Sequence, residues 1–245
     1  MPTRDTPWPA GTPCWIDYGA ADVQAATAFY GELFGWSCTG GDEEFGGYLN
    51  ATRDGAQVAG LGPLMGEDDA PSWTTYFATD DAAATVARIR EAGGTVVVEP
   101  MEIGPLGTMV VAQDPQGFPF GLWQSGEHTG VQRFNEPGSL VWNEAAVTDP
   151  DAAREFYTAV FGFAWDPMEG MEPYATFRTD DRPLGGLSRI EPGLPTGWTV
   201  CFAVASTDEV VARVGRRAER RCTPPRTPSS AGSPCSRTPG GLRSR

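Results

Sequence analysis

The stretch CWIDYGAADVQAATAFYGELFGW, residues 14–36, has a counterpart in VWNEAAVTDPDAAREFYTAVFGF, residues 141–163. A tryptophan, an acidic residue, an alanine pair, Phe-Tyr and Phe-Gly recur in both stretches at a constant offset of 127 residues. Self-similarity at a fixed offset is the signature of a repeated structural unit. We therefore predict two copies of one unit, with the aromatic pairs Phe29-Tyr30 and Phe156-Tyr157 in the cores of equivalent helices.

Further matches extend both copies along the chain. WTTYFATDDAAATVARI at residues 73–89 aligns with WTVCFAVASTDEVVARV at residues 198–214, at an offset of 125 residues. The residues between the copies are polar and rich in turn formers, which predicts a linker. The sequence thus divides into a first copy, residues 11–124, a linker, residues 125–137, and a second copy, residues 138–214.

Each copy has the pattern of two βαβββ halves. Asp22 is the expected N-cap of a first helix, and Asp80 or Asp81 is the expected N-cap of a second helix that ends at Gly93-Gly94. Alternating residues around Asp54-Gly55 predict a hairpin. The predicted fold is α+β, with paired βαβββ modules that form a curled mixed sheet backed by helices.

The order of these elements, together with FYGELFGW, GGTVVVEP and DPQG, resembles the vicinal oxygen chelate superfamily. That superfamily includes glyoxalases, extradiol dioxygenases and bleomycin-resistance proteins, and within it the chain is most similar to two-unit, glyoxalase-like or hydroxylase-like actinomycete proteins. The resemblance covers about residues 11–214 and implies tandem glyoxalase-like units. It implies the fold more strongly than the chemistry, because one scaffold can carry both enzymes and pure binding proteins.

The tail, residues 215–245, differs from everything before it. It carries eight arginines and one acidic residue, whereas residues 1–214 carry ten arginines and 31 acidic residues. If its codons are GC-rich and are read two bases later, the tail can become a sequence that resembles the GTMVVAQDPQG and GGTVVVEP phrases of the first copy. We therefore predict that the tail is frameshifted or disordered, and that the second copy is incomplete at its C-terminus.

Composition narrows the class of protein. Residues 1–214 have a net charge of −21, which should repel nucleic acid and anionic membranes. No stretch is long and apolar enough to span a membrane, and the five cysteines form no CxxC pair. We expect a cytoplasmic protein that binds a small molecule, with neither nucleic acid nor membrane as a partner, as a monomer of pseudo-twofold units or as a homodimer.

The resemblance also implies three kinds of metal-ligand position: a histidine on a first strand, a histidine or glutamine on a later strand, and a glutamate after the DP-G turn. Those positions are occupied in this chain by Trp15 and Trp142, by Thr74 and Thr199, and by Gly121. Divalent metals of this chemistry need imidazole or carboxylate ligands. We therefore expect no metal and no other cofactor, and we interpret His128, in the linker, as a solvated polar residue.

One strand face in each copy should carry a tryptophan and a carboxylate. Asp17 lies two residues beyond Trp15, and Glu144 lies two residues beyond Trp142, so each pair shares a strand face. If that face is concave, each copy has an aromatic cleft with an acid beside it. The candidate ligand-binding residues are Trp15, Trp142, Tyr48, Trp73, Thr74, Tyr174, Trp198 and Thr199, with Trp36 and Trp123 as further aromatic candidates.

Simpler interpretations stay open for these residues. The tryptophans could fill the sheet core, and Asp17 and Glu144 could be ordinary solvated or capping acids. Three functions follow from the cleft. The first is binding or sequestration of a small, aromatic molecule, in resistance or secondary metabolism. The second is a metal-independent or hydroxylase-like enzyme with Asp17 or Glu144 as general base, and the third, which the missing ligands disfavour, is a metal-dependent glyoxalase or dioxygenase.

Overall fold

The computed structural model describes residues 3–66 and 69–222, with side chains up to residue 215. Eight strands of the first copy form one sheet in the order β2-β3-β4-β1-β5-β8-β7-β6. Their bounds are β1 Pro13–Ala20, β2 Ser37–Gly40, β3 Leu49–Arg53, β4 Ala56–Pro63, β5 Ser72–Ala78, β6 Thr95–Glu102, β7 Gly107–Gln113 and β8 Pro119–Ser125. The sheet mixes parallel and antiparallel pairs and does not close on itself.

A second sheet follows after the linker. Its order, β10-β11-β12-β9-β13, has the same arrangement as the β2-β3-β4-β1-β5 part of the first sheet. Its strands are β9 Leu140–Val147, β10 Ala164–Pro167, β11 Ala175–Arg178, β12 Gly185–Arg189 and β13 Gly197–Phe202. The four α-helices of the described chain are α1 Val23–Phe34, α2 Ala82–Glu91, α3 Pro150–Phe161 and α4 Thr207–Cys222. The chain therefore has the expected α+β fold with curled sheets.

Local sequence fixes where the helices begin and end. The side chains of Asp22, Asp81 and Asp149 cap the N-termini of α1, α2 and α3 by accepting hydrogen bonds from backbone amides of the first turn. Gly35 and Gly162 end α1 and α3 with φ near +74°, a conformation that glycine adopts without steric cost. Of the two caps left open by the sequence, Asp81 is the one used.

Two apolar cores hold the sheets together. One lies between the β5–β8 part of the first sheet, with α2, and the second sheet, with α3, and it includes Phe77, Phe120 and Tyr157. The other lies on the first sheet, where it includes Trp15, Tyr76 and Trp123 as well as Trp36 beside α1, and it takes Val200 and Phe202 from β13 at its margin. The first core therefore joins the second half of the first copy to the first half of the second copy.

Helix α4 continues past the predicted end of the second copy at residue 214, to Cys222. In the first copy, Gly93 and Gly94 follow α2 and the chain turns into β6. At the offset of 125, positions 218 and 219 are alanine and glutamate, which do not favour a turn. Residues 1–206 form one compact unit, to which α4 does not belong, and the rest of the predicted tail, residues 223–245, lies outside the described residues.

None of the described helices is both long enough and apolar enough to cross a membrane.

Candidate functional site

Three neighbouring strands of the first copy bring their side chains into one row. Trp15 of β1 lies opposite Tyr76 of β5, which in turn lies opposite Gly121 of β8. In the adjacent row Asp17 lies between Thr74 of β5 and Gly60 of β4. These residues share one sheet face, because side chains alternate along a strand. Trp15, Tyr76 and Trp123 on this face are buried and belong to the apolar core of the first sheet. We call this face the first cleft.

The Tyr76 ring lies in front of Gly121, the position at which the family resemblance implies a glutamate. A Cβ atom on Gly121 would lie 2.1 Å from Cδ1 of Tyr76, so the tyrosine ring fills the space that a longer side chain at position 121 would need. The other expected ligand positions, Trp15 and Thr74, offer no imidazole or carboxylate. The described residues also contain no group of three or more His, Cys, Asp or Glu that could hold a metal ion. These donors do not fit the divalent metal of the family.

Asp17 is the acidic group of the first cleft. Its carboxylate accepts hydrogen bonds from the hydroxyls of Tyr76, Thr74 and Tyr48. Burial raises the pKa of Asp17 from 3.8 to about 6, and the three hydrogen bonds offset only part of that shift. A carboxyl group with a pKa near neutrality can take up or release a proton at physiological pH.

A hydrogen-bond chain connects the aromatic wall to this acid. Nε1 of Trp15 donates to the hydroxyl of Tyr48 over 2.9 Å, and the Tyr48 hydroxyl donates to Asp17. Burial and the neighbouring Asp17 raise the pKa of Tyr48 well above its ordinary value, so the phenol stays protonated. A Cβ atom on Gly60 would lie 1.7 Å from the Tyr48 oxygen, so glycine is needed for the ring to cross β4.

His128 packs against the tryptophans of this cleft. Its ring lies edge-on to Trp15, with centroids 4.3 Å apart, and 5.2 Å from the Trp123 ring. Its Nδ1 accepts a hydrogen bond from the amide of Gly130 over 3.0 Å, which places the proton of the neutral ring on Nε2. Burial lowers the pKa of His128 to about 4. The expectation of a solvated linker histidine is therefore wrong: His128 is buried where the linker folds back over the β6–β7 turn.

The second copy contains the same chain of groups. Nε1 of Trp142 donates to the Tyr174 hydroxyl over 3.3 Å, and that hydroxyl donates to Oε2 of Glu144 over 3.2 Å. Gly186 takes the role of Gly60, because a Cβ atom there would lie 2.1 Å from the Tyr174 oxygen. Thr199 lies opposite Glu144 on β13.

The second cleft is less enclosed than the first. Position 201, which corresponds to Tyr76, is a cysteine that lies opposite Trp142. Burial and the nearby Glu144 raise the pKa of the Cys201 thiol, so it is a poor thiolate nucleophile. In the described part of the chain, no strand pairs with the other edge of β13, whereas β5 pairs with β8.

Three of the aromatic candidates lie outside the clefts. Trp73 and Trp198 belong to the opposite sheet face, where their Nε1 atoms donate to the hydroxyls of Tyr30 on α1 and Tyr157 on α3. Trp36 packs among the rings beneath α1. For these residues the simpler interpretation applies, since they fill the core between sheet and helix. The structure brings the other predicted residues to the clefts: Trp15, Asp17, Tyr48, Thr74 and Trp123 to the first, and Trp142, Glu144, Tyr174 and Thr199 to the second.

Two residues of the first cleft were not among the predicted site residues. Tyr76 shares its face with Thr74 by simple alternation in WTTYFAT, and a glycine opposite it was the only sign that its ring turns inward. His128 is distant in sequence from both tryptophans that it contacts. No local pattern in SGEHTGVQ marks it as buried.

A family model for the glyoxalase/bleomycin resistance protein/dioxygenase superfamily matches residues 15–122. Together with the relatives described next, this match shows that the chain belongs to that superfamily.

The curated relatives match both copies. The chain is 38% identical over 221 residues to a Mycobacterium tuberculosis protein provisionally named glyoxylase CFP32, a match that covers 87% of this chain and 84% of the relative. It is 36% identical over 223 residues to the anthracycline biosynthesis protein DnrV of Streptomyces peucetius, covering 83% of this chain and 80% of the relative.

Solved structures show the same fold at low sequence identity. The Mn(II)-bound glyoxalase from Novosphingobium aromaticivorans matches with a TM-score of 0.58 and 20% identity, over 87% of this chain and 71% of that one. The 2,2',3-trihydroxybiphenyl 1,2-dioxygenase from Sphingomonas wittichii matches with a TM-score of 0.58 and 18% identity, over 87% and 80% of the two chains.

Proposed function

We propose that the first cleft binds a small, planar aromatic molecule and that Asp17 recognises a polar hydrogen on it. The observation that carries the proposal is the enclosure of one carboxyl group, with a pKa of about 6, by aromatic and hydroxyl side chains. Such a cleft offers faces for ring stacking and one acceptor that fixes the orientation of the ligand.

The groups around Asp17 favour a neutral or cationic ligand. The hydroxyls of Tyr48, Tyr76 and Thr74 already donate to the carboxylate, so a further donor from the ligand would share it. A phenolic hydroxyl or an amine can supply that donor, whereas a ligand carboxylate would face Asp17 with like charge. The name of the relative DnrV refers to anthracyclines, and their fused planar rings with phenolic hydroxyls have the shape and the donors expected here.

The residues at the family metal positions support binding without a metal ion. Trp15, Thr74 and Gly121 supply no ligand, and the Tyr76 ring takes the space next to Gly121. Sequestration of the aromatic molecule needs no metal ion.

A second candidate function, proton transfer by Asp17, is favoured by its pKa of about 6. A general base works best when its pKa lies near the working pH, and the first cleft provides such a group beside the aromatic wall. In this role Asp17 removes a proton from an acidic carbon or hydroxyl of the ligand. Tyr48 and Tyr76 stay neutral and hold the carboxylate in place.

Calorimetric titration with 1,4-dihydroxyanthraquinone tests the binding proposal. We expect saturable binding to the wild-type chain and a loss of affinity of tenfold or more in Tyr76→Leu, which removes a ring and a hydroxyl from the first cleft. Trp198→Phe is the control, because Trp198 lies in the core on the other sheet face. Equal affinity in Tyr76→Leu and the wild type would contradict the proposal.

Asp17→Asn separates binding from catalysis. If the protein only binds, this variant changes affinity and its pH dependence, and no product forms with either chain. If Asp17 is a base, the variant keeps affinity within a few fold and loses the conversion of the bound molecule, followed by mass spectrometry of the ligand.

A further inference from the structure

Two equivalent clusters of aromatic rings lie beneath α1 and α3. The cluster beneath α3 contains Tyr157, Phe161, Phe163, Trp198 and Phe77. The offsets of the repeat give the cluster beneath α1 the residues Tyr30, Phe34, Trp36, Trp73 and Phe202, and their rings are in contact. The two clusters therefore repeat one packing arrangement.

Among the described residues, a further strand covers the cluster beneath α3 but not the cluster beneath α1. Strand β8 places Phe120 against Phe77, Phe156 and Tyr157, and these side chains are buried. In α1 only Ala26 is buried, and Tyr30 keeps part of its surface exposed. Phe156 and Tyr157 are thus buried in the core, as expected, whereas Phe29 and Tyr30 are only partly buried and Tyr30 packs at the margin of its core.

The cluster beneath α3 makes polar contacts with the β7–β8 turn that the cluster beneath α1 lacks among the described residues. The Tyr157 hydroxyl donates to Oδ2 of Asp114, in the turn between β7 and β8, over 3.1 Å. In the same turn, the side-chain amide of Gln116 exchanges two hydrogen bonds with the backbone of Asp149, the N-cap of α3. No counterpart of Asp114 meets Tyr30 in the part of the chain that is described. The offset of 125 assigns that place to position 239, a proline.

The apolar residues of α4 are more exposed than their counterparts in α2. Val86 and Ile89 of α2 are 3% and 0% exposed, because α2 packs on β6, β7 and β8. Their counterparts in α4, Val211 and Val214, are 63% and 38% exposed. An apolar segment equivalent to β6–β8 is thus absent from the described part of the second copy.

The sequence of residues 223–245 does not have the chemistry of that segment. Val110, Ala112 and Gln116 of the first copy correspond to cysteine, arginine and glycine at positions 235, 237 and 241. The 23 residues include five prolines and one large aliphatic residue, Leu242. Prolines cannot donate to a sheet ladder, and alternating apolar residues are needed to cover a core.

We propose that the face formed by Tyr30, Phe34, Trp73, Phe202 and the edge of β13 that no described strand pairs with, here called the α1–β13 face, binds a three-stranded β-meander donated by another polypeptide. The meander resembles β6–β8: one strand adds in parallel to β13, as β8 adds to β5, and an apolar residue closes the ring cluster. An aspartate in its turn accepts the hydrogen bond of the Tyr30 hydroxyl.

A docked meander would also complete the second cleft. In the first cleft, β8 supplies Gly121 and Trp123 beside Tyr76, and the second cleft has no such wall among the described residues. This consequence rests on the proposed function. The docking itself does not, since it can be measured without any ligand.

The test is hydrogen exchange of the full chain with a synthetic peptide of its own residues 94–125, which contain β6–β8. We expect the amides of β13 and α1 to exchange at least tenfold more slowly with the peptide present. The protection should weaken several-fold when the peptide carries Asp114→Ala or the chain carries Tyr30→Phe. Thr52→Val, which removes an exposed hydroxyl on β3 that bonds only to the neighbouring β2 backbone among the described contacts, serves as the control and should leave the protection unchanged.

Three outcomes would overturn the proposal. One is unchanged exchange in β13 and α1 at saturating peptide. Another is protection that is indifferent to both Asp114→Ala and Tyr30→Phe, which would mean that the peptide does not bind in the register of β6–β8. The third is a dimer in sedimentation of the chain alone with β13 and α1 already protected, because a second copy would then occupy the face.

Discussion

The first and second copies contain the same three groups in the same order, tryptophan to tyrosine to acid, yet in different surroundings. In the first copy eight strands surround Trp15, Tyr48 and Asp17, and burial raises the pKa of the acid to about 6. In the second copy five strands support Trp142, Tyr174 and Glu144, and β13 leaves one edge unpaired in the described chain. The comparison shows that a cleft of this fold depends on strands from both halves of a copy. The tryptophan, the tyrosine and the acid do not make a buried site by themselves.

Truncation of the tryptophans should give the largest difference between the copies. Trp15→Ala removes a buried ring that packs against His128 and donates to Tyr48, and a loss of about 3–5 kcal/mol in the free energy of unfolding is expected. Trp142→Ala removes a half-exposed ring and should cost less than about 2 kcal/mol. Urea titration of both variants measures these costs, and equal costs would contradict the difference in enclosure.

For the tyrosines that pack between sheet and helix, the larger loss of stability is expected in the second copy. Tyr157→Phe leaves Asp114 and the Trp198 Nε1 without their partner in a buried place, so we expect a loss of about 2–4 kcal/mol in unfolding free energy. Tyr30→Phe disrupts only the hydrogen bond from Trp73 in a half-exposed cluster and should cost about 1 kcal/mol or less. Denaturant unfolding of the matched pair measures the difference. A cost for Tyr30→Phe as large as that for Tyr157→Phe would mean that the α1–β13 face is already covered.

Alanine substitutions of Gly60 and Gly186, which lie beneath Tyr48 and Tyr174, should differ by a smaller amount in stability. Gly60→Ala pushes the Tyr48 ring away from Asp17 inside an enclosed cleft and should cost about 1–3 kcal/mol. Gly186→Ala displaces Tyr174 in the same way, but the open second cleft gives that ring room to move, so a cost below about 1 kcal/mol is expected. Thermal unfolding of both variants checks the order, and a reversed order would be inconsistent with an open second cleft.

The last comparison concerns the pH dependence of stability, to which the buried, neutral ring of His128 contributes in acid. The folded chain holds the pKa of His128 near 4, below the ordinary 6.5, so the neutral ring stabilises the fold above pH 6.5. That contribution is lost as the pH falls from about 6.5 towards 4, because the unfolded chain binds the proton first. Stability measured against pH should fall less steeply over this window in His128→Gln.

Because His128 is the single histidine of the chain, its imidazole proton resonance can be followed by NMR without further assignment. A titration midpoint near 4 is expected for the folded protein. A midpoint near 6.5 would contradict the burial of this ring between Trp15 and Trp123 and would mean that the ring is exposed to solvent.

Much of the fold could be predicted from sequence because it depends on local signals. The Asp22 cap and the glycine that ends α1 require only nearby residues, and the structure contains them. The shared face of Trp15 and Asp17 follows from alternation along one strand. The placement of Tyr48 across β4 could also be anticipated, since Gly60 and Gly186 recur under Tyr48 and Tyr174.

Other features depend on which elements pack together, and the sequence pattern does not specify that. Trp73 and Thr74 are adjacent in sequence, but the strand puts them on opposite faces, and only the packing of α1 decides which face is the core. His128 becomes buried because the linker folds back over the β6–β7 turn. Likewise, Phe29-Tyr30 and Phe156-Tyr157 differ in burial because β8 covers only the helix of the second copy.

The enclosure of Asp17 underlies both proposed functions, and its proton equilibrium tests that enclosure most directly. Carbon-13 NMR of the side-chain carboxyl, with the resonance identified by its loss in Asp17→Asn, gives the midpoint without reference to any ligand. The first cleft predicts a midpoint near 6, above the ordinary value of 3.8. A midpoint at or below 3.8 would show a solvated carboxylate and would contradict the account of this cleft.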